Sequence, residues 1–532
     1  MYWRRYFRFS VVILFFSVVK CELFTALVQL QRVLQTEESL ANDLRTFVAS
    51  ERAKLDTIER IADDYESHSA EAMKDVNQHL ANPINAFLLV KRLTSDWSKV
   101  LSLIESQNNT ESLRAAVQSK VDQFPDEKDL QGAGAALLRL QDTYALHTSE
   151  IVKGNIKGVS DSPSLSTDDC VELGKIAYFK EDFYHCVMWM TQALQLLEEE
   201  TQPITNKVEI LDYLSFALFK QGNLHHALNY TIEWLKLEPG HARALANKEF
   251  YESEIQKELE RENATEIPPP ELKNQRPRNS YQNSEMFHNY ERLCRGDETH
   301  KLYNAHKLYC TYKRDHPYFI ISPVQMEIKS FRPMIYFFHN LVTKSEIAMV
   351  KEKAYPKLHR SGVFVWQGGN ADLIQDYRTS KSAWLSDSDD RLIARISKKA
   401  EAVSGLTVST AEELQVLNYG IGGHYEPHHD FVRSDEGYKF DTNAGNRIAT
   451  VLFYMTDVKA GGATVFPQVG AKVFPKEGSC VMWYNLLKNG EGDYSTQHAA
   501  CPVLAGTKWV CNKWFHERGQ EFNRKCDLNP DI

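Results

Sequence analysis

Two histidines and an aspartate are the residues of this sequence whose types and spacing most readily suggest chemistry. His428 stands two residues before Asp430, in Tyr419-Gly-Ile-Gly-Gly-His-Tyr-Glu-Pro-His-His-Asp430. In extended backbone, side chains at i and i+2 project to one face, so both can reach one ion while His429 points away. His498, in Ser495-Thr-Gln-His-Ala-Ala-Cys-Pro502, adds a second imidazole. Two imidazoles and a carboxylate suit a mononuclear non-haem iron with positions left open for a cosubstrate and oxygen. The pair is weak by itself, because a chain with 18 histidines shows about one His-x-Asp by chance. His424 and Glu426 form a competing pair of the same kind.

Lys508 changes the weight of that set. A buried lysine is costly unless an anion pairs with it, and the distal carboxylate of 2-oxoglutarate would supply one. Ala505-Gly506 reads as a turn, so the segments carrying His498 and Lys508 are expected to pair as neighbouring strands around one cavity. Along the second strand Lys508, Val510, Asn512, Trp514 and His516 alternate onto one face. Cys501 has the opposite parity to His498, which directs its sulfur away from the ion. The bland alternative for Lys508 is a surface residue on a strand edge.

The elements that must position these groups are short strands. Arg447–Met455, Gly478–Tyr484 and Lys508–His516 are rich in β-branched and aromatic residues, and turn residues separate them. Residues 290–532 are therefore read as a double-sheet barrel, preceded by helices at Ser345–Tyr355 and Ser388–Ala402. Upstream, Leu173-Gly-Lys-Ile-Ala177-Tyr-Phe-Lys180 and Leu214-Ser-Phe-Ala217-Leu-Phe-Lys220 open two similar helix pairs whose Ala-x-Phe-Lys positions lie 40 apart. A tetratricopeptide repeat has 34 residues, and the polar insert Glu198–Lys207 accounts for the difference. Residues 167–258 are read as a tetratricopeptide-like helical domain, the kind whose concave face takes extended peptides. Linkers are expected at 153–166, rich in Gly and Ser, and at 259–289, which contains Pro268-Pro-Pro270. Residues 22–152 carry a heptad-like stripe, including Leu23, Leu27, Leu30, Leu34, Val48 and Leu55, and read as a helical dimerisation region or as part of a bundle.

Over 532 residues the net charge is −9, which argues against a nucleic-acid partner. Basic residues followed by the apolar run Phe9–Val19 match a signal peptide, taken as residues 1–21, and no later segment could span a membrane. In a secretory compartment the eight cysteines beyond Cys21 meet oxidising conditions, and Cys294/Cys310 and Cys501/Cys526 are close enough in sequence to close loops. Asn108, Asn229 and Asn263 stand in glycosylation sequons.

From about Tyr290 to the C-terminus the chain resembles the catalytic domain of the collagen prolyl 4-hydroxylase α subunit. The stretches that carry the likeness are Ser409-Thr-Ala-Glu-Glu-Leu-Gln415, His424-Tyr-Glu-Pro-His-His-Asp-Phe431, Gly445-Asn-Arg-Ile-Ala-Thr450, Gly461-Gly-Ala-Thr-Val-Phe-Pro467, Gly490-Glu-Gly-Asp-Tyr-Ser-Thr496 and His498-Ala-Ala-Cys-Pro-Val503. It extends upstream through the repeats and the helical region. The resemblance implies a double-stranded β-helix with Fe(II) at His428, Asp430 and His498. Lys508, Tyr419 and Thr464 would bind 2-oxoglutarate, and O2 and ascorbate are the further cofactors it implies. Tyr425, Arg447, Trp514 and His516 match positions that hold the peptide proline, and Tyr178, Tyr213 and Asn247 match peptide contacts of the repeat domain. Phe216 and Phe250 stand where relatives carry tyrosine. The resemblance further implies hydroxylation of proline at C4 in collagen-like X-Pro-Gly sequences, with 2-oxoglutarate decarboxylated to succinate and CO2. It implies Cys294–Cys310 and Cys501–Cys526 disulfides. It also implies residence in the endoplasmic reticulum lumen, in a tetramer of two such chains with protein disulfide isomerase as the β subunit. The C-terminus Asn-Pro-Asp-Ile has no retention signal, so that partner would hold the chain in the lumen. Lysyl hydroxylases resemble the site but use arginine where Lys508 stands and lack the repeats.

Overall fold

Local signals start the helices of the repeat region. Ser166 and Asp169 form a reciprocal capping box from which the helix Thr167–Phe179 runs. Asp182 accepts the His185 N–H to begin Phe183–Glu199, and Asn206 accepts that of Glu209 to begin Lys207–Lys220. Leu224–Leu237 and Ala242–Glu262 follow, so a further helix closes the two pairs. Gly174 lets the first two helices approach closely, since a Cβ there would lie 2.7 Å from Met190 Cε. Leu173, Ala177, Cys186 and Trp189 fill the space between them.

The computed structural model describes residues 27–105, 127–159, 162–201, 203–262, 270–299, 302–361, 363–367, 370–374, 377–433 and 443–529. The expected signal peptide, Asn108 and Asn263 lie outside those residues. The chain divides into two units. One comprises the helix Leu27–Lys74, on which Val48 and Leu55 of the heptad-like stripe are exposed, and the last residues of the helix Trp97–Glu105. The other begins at Asp75 and contains the helices Pro83–Lys91 and Glu127–Tyr144, the repeats and the barrel.

The first barrel strands are β1 Cys310–Lys313, β2 Val324–Phe331, β3 Met334–Phe338, β4 His359–Arg360, β5 Val363–Gln367, β6 Asn370–Ile374, β7 Lys381–Leu385 and β8 Leu414–Tyr419. Then come β9 Tyr425–His428, β10 Arg447–Tyr454, β11 Ala460–Gly461, β12 Thr464–Phe466, β13 Ala471–Val473, β14 Cys480–Tyr484, β15 His498–Ala500, β16 Val503–Ala505 and β17 Lys508–His516. A large antiparallel sheet has the order β1-β2-β3-β14-β10-β17-β8-β7-β4, and a smaller one the order β13-β12-β15-β9. Period-2 alternation assigns the large sheet's faces. Val451, Phe453, Cys511 and Phe515 pack outward with the helices Lys344–Ala354 and Arg391–Ser404. Leu452, Tyr454, Val481 and Val510 turn inward against Phe466 and Val473 of the small sheet. Burial of each such side chain contributes about 1.5–3 kcal/mol, so both sheets are held by apolar packing.

Several expectations change. His498 and Lys508 do not lie on paired strands: β15 joins β9 and β12 in the small sheet, whereas β17 sits between β10 and β8 in the large one. The chain leaves the small sheet after β15, runs through β16, which pairs with β11, and turns at Ala505-Gly506 into β17 of the large sheet, so the two residues face each other across the barrel. The disulfide links Cys294 to Cys501, not Cys294 to Cys310 or Cys501 to Cys526. The helix Glu285–Arg295 packs on β12, which brings Cys294 beside the end of β15, while Cys310 and Cys526 are exposed elsewhere. Nearness in sequence was not nearness in space. The stretch 153–166, read as a linker, is packed through Ile156 and Leu165. Asn229 is exposed on the helix Leu224–Leu237.

Candidate active site

The two imidazoles meet because β9 and β15 are antiparallel neighbours with His428 directly opposite His498. Asp430 follows β9 at the matching parity, and one ligand atom from each of the three residues lies within 4.8 Å of the others. His428 Nε2 is 3.8 Å from Asp430 Oδ1, and His498 Nε2 is 3.6 Å from Asp430 Oδ2. His428 Nδ1 lies 2.7 Å from Glu426 O and His498 Nδ1 3.1 Å from Thr496 O. With each Nδ1–H donated to a carbonyl, both Nε2 lone pairs point to a common place. Burial holds the His428 imidazole well below its ordinary range, with His498 adding to the effect, so it stays neutral and able to ligate. Burial tends to raise the Asp430 carboxyl, but His498, His428 and Arg447 outweigh it and leave it at about 2.

Neighbours fix these ligands. Thr450 Oγ1 donates to Asp430 Oδ2 at 2.7 Å and accepts from Asn485 Nδ2 at 2.9 Å. The Tyr425 ring stacks on His428 with centroids 3.5 Å apart, and Trp483 meets the His498 ring at 4.6 Å. The donor set, its tautomers and this outer layer suit a divalent iron with open positions.

Across the cavity, of about 140 Å³, Lys508 is 1% exposed and its Nζ lies 5.4 Å from the Tyr419 ring centroid. Burial pushes the Lys508 ammonium down to about 7. A buried amine with no carboxylate among the described residues to offset its desolvation is suited to an anionic ligand. Tyr419 and Thr464 line the same cavity, and Thr464 Oγ1 accepts from Tyr454 OH at 2.8 Å.

The other wall carries Tyr425, Arg447 and Trp514. The Arg447 guanidinium lies 3.9 Å from the Trp514 ring centroid, and Glu412 grips it through Nε and, at 3.0 Å, Nη2. His516 is set behind this wall, bonded to Glu412 at 3.0 Å and to Gly445 O at 2.7 Å. His424, the rival ligand, is buried outside the triad, and Glu426 supplies a carbonyl rather than a metal-binding carboxylate.

Sequence reasoning assigned no role to Glu412, Thr450 or Asn485, nor to Arg378, which stacks over Tyr425 at 4.7 Å and donates to Gln415 at 3.3 Å. Inward parity on β10 could have revealed Thr450, since it shares a face with Leu452. Glu412 lies in Ser409-Thr-Ala-Glu-Glu-Leu-Gln415, but its partners Arg447 and His516 come from two distant strands.

On the repeats, Tyr178 and Tyr213 meet edge to face with centroids 4.9 Å apart, and Phe216 is 5.7 Å from Tyr178. Arg243 donates to Tyr178 OH at 3.1 Å and pairs with Asp212 at 3.2 Å. Among the described residues, Asn247 Nδ2 is buried with no hydrogen-bond partner. The surface is an aromatic groove with a few polar anchors.

Residues 26–158 match the family described as the prolyl 4-hydroxylase alpha-subunit N-terminal region, and residues 167–257 match the prolyl 4-hydroxylase peptide-substrate-binding domain. Residues 414–516 match the 2OG-Fe(II) oxygenase superfamily. The chain is 44% identical over 512 residues to prolyl 4-hydroxylase subunit alpha-1 of Rattus norvegicus, covering 95% of this chain and 96% of that one. It is 42% identical over 529 residues to subunit alpha-2 of Caenorhabditis elegans, covering 98% and 96%. A solved viral collagen prolyl hydroxylase from Paramecium Bursaria Chlorella virus-1 is 23% identical, with TM-score 0.28, covering 34% of this chain and 94% of that one. The chain belongs to the prolyl 4-hydroxylase alpha-subunit family, and its barrel is that of an iron(II)- and 2-oxoglutarate-dependent dioxygenase.

Proposed function

We propose that this chain hydroxylates C4 of proline in X-Pro-Gly sequences of collagen-like polypeptides, coupled to conversion of 2-oxoglutarate to succinate and CO2. The observation that carries the reading is Lys508, a buried amine with no carboxylate partner among the described residues, facing a His-Asp-His triad across one small cavity. His428, Asp430 and His498 would hold iron(II), which with 2-oxoglutarate and O2 would supply the oxidising chemistry for putting one oxygen atom into the C4–H bond and the other into succinate.

The protein's own part is binding and orientation. Lys508 takes the distal carboxylate of 2-oxoglutarate, with Tyr419 and Thr464 beside it, so the keto acid spans from the large sheet to the triad. Tyr425, Trp514 and Arg447 form the wall against which the proline lies, and His516 acts through Glu412 to fix Arg447. Leu452, Val510 and Trp483 keep the reacting region apolar. The groove at Tyr178, Tyr213 and Asn247 holds a second stretch of the same polypeptide, by stacking on proline rings and by side-chain amide contact.

Ascorbate restores enzyme oxidised in cycles without peptide. We place the chain in the endoplasmic reticulum lumen, glycosylated on exposed Asn229, in a tetramer of two such chains with protein disulfide isomerase. Among the described residues no helix is long and apolar enough to cross a membrane. The test is succinate release from 2-oxoglutarate that needs both iron and a (Pro-Pro-Gly) repeat peptide; release stimulated by lysine peptides alone would overturn the proline reading.

A further inference from the structure

The sequence divides into segments that look separable, yet barrel residues reach into the helical core. Leu504, at the barrel's β16, is buried within the helical core, and Ile421 and Ala460 pack against it. The element between them is the helix Glu127–Tyr144. On one side it meets the repeats: Trp189 Nε1 donates to Gln141 Oε1 at 3.1 Å, and His185 lies between Asp142 at 3.2 Å and Asp182 at 2.6 Å. On the other side it meets the turn joining β8, which carries Tyr419, to β9, which carries His428. Arg139 donates to Gly422 O at 3.1 Å, and Tyr144 OH donates to Pro502 O at 2.5 Å. Gly422 has φ +67°, and a Cβ there would lie 2.6 Å from Ala136 Cβ, so the helix rests directly on that turn. Arg276 closes the seam, bonding Asp142 at 2.9 Å and Glu291, on the helix bearing Cys294, at 2.7 Å.

We propose that the helix Glu127–Tyr144 is a rigid strut that fixes the aromatic groove relative to the iron-binding strand and thereby sets the enzyme's preference for long over short proline peptides. This rests on the functional reading above. A peptide long enough to occupy both sites makes its second contact intramolecularly, and the gain depends on the sites being held at a fixed span. A flexible joint would spread that span over many distances and dilute the gain. A short peptide engages the cavity alone and is indifferent to the strut.

The test is kcat/KM for (Pro-Pro-Gly) peptides of increasing length in the full assembly, for wild type and the double variant R139Q/Y144F. Calorimetry measures groove affinity for a long peptide, and thermal melting confirms the fold. The long-to-short ratio is expected to fall at least about tenfold in the variant, with the short-peptide value and groove affinity within about twofold. If that variant does not fold, R276Q loosens the same seam from its polar side and is read in the same way. An unchanged ratio, an equal loss for long and short peptides, or a wild type indifferent to length overturns the strut while proline turnover stands. A wild type that turns over no proline peptide overturns the functional reading, and the strut with it.

Discussion

Lys508 and Asp430 are almost wholly withdrawn from water, whereas Phe179 and Phe250 on the repeats are 71% and 46% exposed. The cavity binds through charge and hydrogen bonds made strong by burial, and each group there has a defined geometry. The groove offers ring faces on an open surface, where many poses have similar energy and the proline-rich chain's own stiffness limits the entropy lost. The difference teaches where each kind of specificity resides: the chemistry depends on single atoms in the cavity, and peptide affinity is spread over several rings in the groove.

That contrast can be broken most severely at the metal. H498A removes one ligand, and peptide-dependent succinate formation is expected to fall to background while calorimetric peptide binding by the groove stays within about twofold. Residual turnover near wild type would remove His498 from the site. K508A should weaken 2-oxoglutarate binding on the order of 10²–10³-fold, the scale for breaking a buried charge pair, with little change in peptide affinity.

Lys508 also has a pH signature. Its ordinary value of 10.5 applies to the unfolded chain and about 7 to the folded protein without ligand. Between those values the unfolded state binds more protons, so this residue makes stability rise with pH across the window. Substituting Met should abolish that contribution, as read from melting temperature against pH in parallel with wild type.

T450A leaves the triad in place but removes the hydroxyl that orients Asp430, and a 10–100-fold loss of iron affinity or activity is expected. Y213A should have the smallest effect, about tenfold weaker long-peptide binding with kcat on a saturating short peptide unchanged. Equal losses of kcat and affinity in Y213A would collapse the distinction between the two regions.

Features set by local periodicity were legible in the sequence. His428 and Asp430 share a face because of i, i+2 parity, and β17 was readable because its residues are rich in β-branched and aromatic types, with Lys508, Val510, Asn512 and Trp514 falling on one face. The repeat helices were legible because Ala-x-Phe-Lys recurs 40 residues on. Features set by register between distant strands were not. His498 and Lys508 looked like neighbours because a turn lies between them, yet that turn crosses between sheets. Cys294 found Cys501 because a helix lies across β12, which no sequence spacing encodes. Glu412 became visible as a partner of Arg447 and His516 only when β10 and β17 were seen side by side. Gly and Ser content in 153–166 did not reveal that Ile156 and Leu165 are buried.

The central claim, that one cavity couples the Lys508-held keto acid to oxidation of a bound proline, is tested most directly by product stoichiometry. Purified enzyme given iron(II), 2-oxoglutarate, O2, ascorbate and a (Pro-Pro-Gly) peptide should form 4-hydroxyproline and succinate in equal amounts, with the hydroxyl located on C4 by NMR. Succinate formed without hydroxyproline, or a hydroxyl on any other carbon or residue, would contradict it.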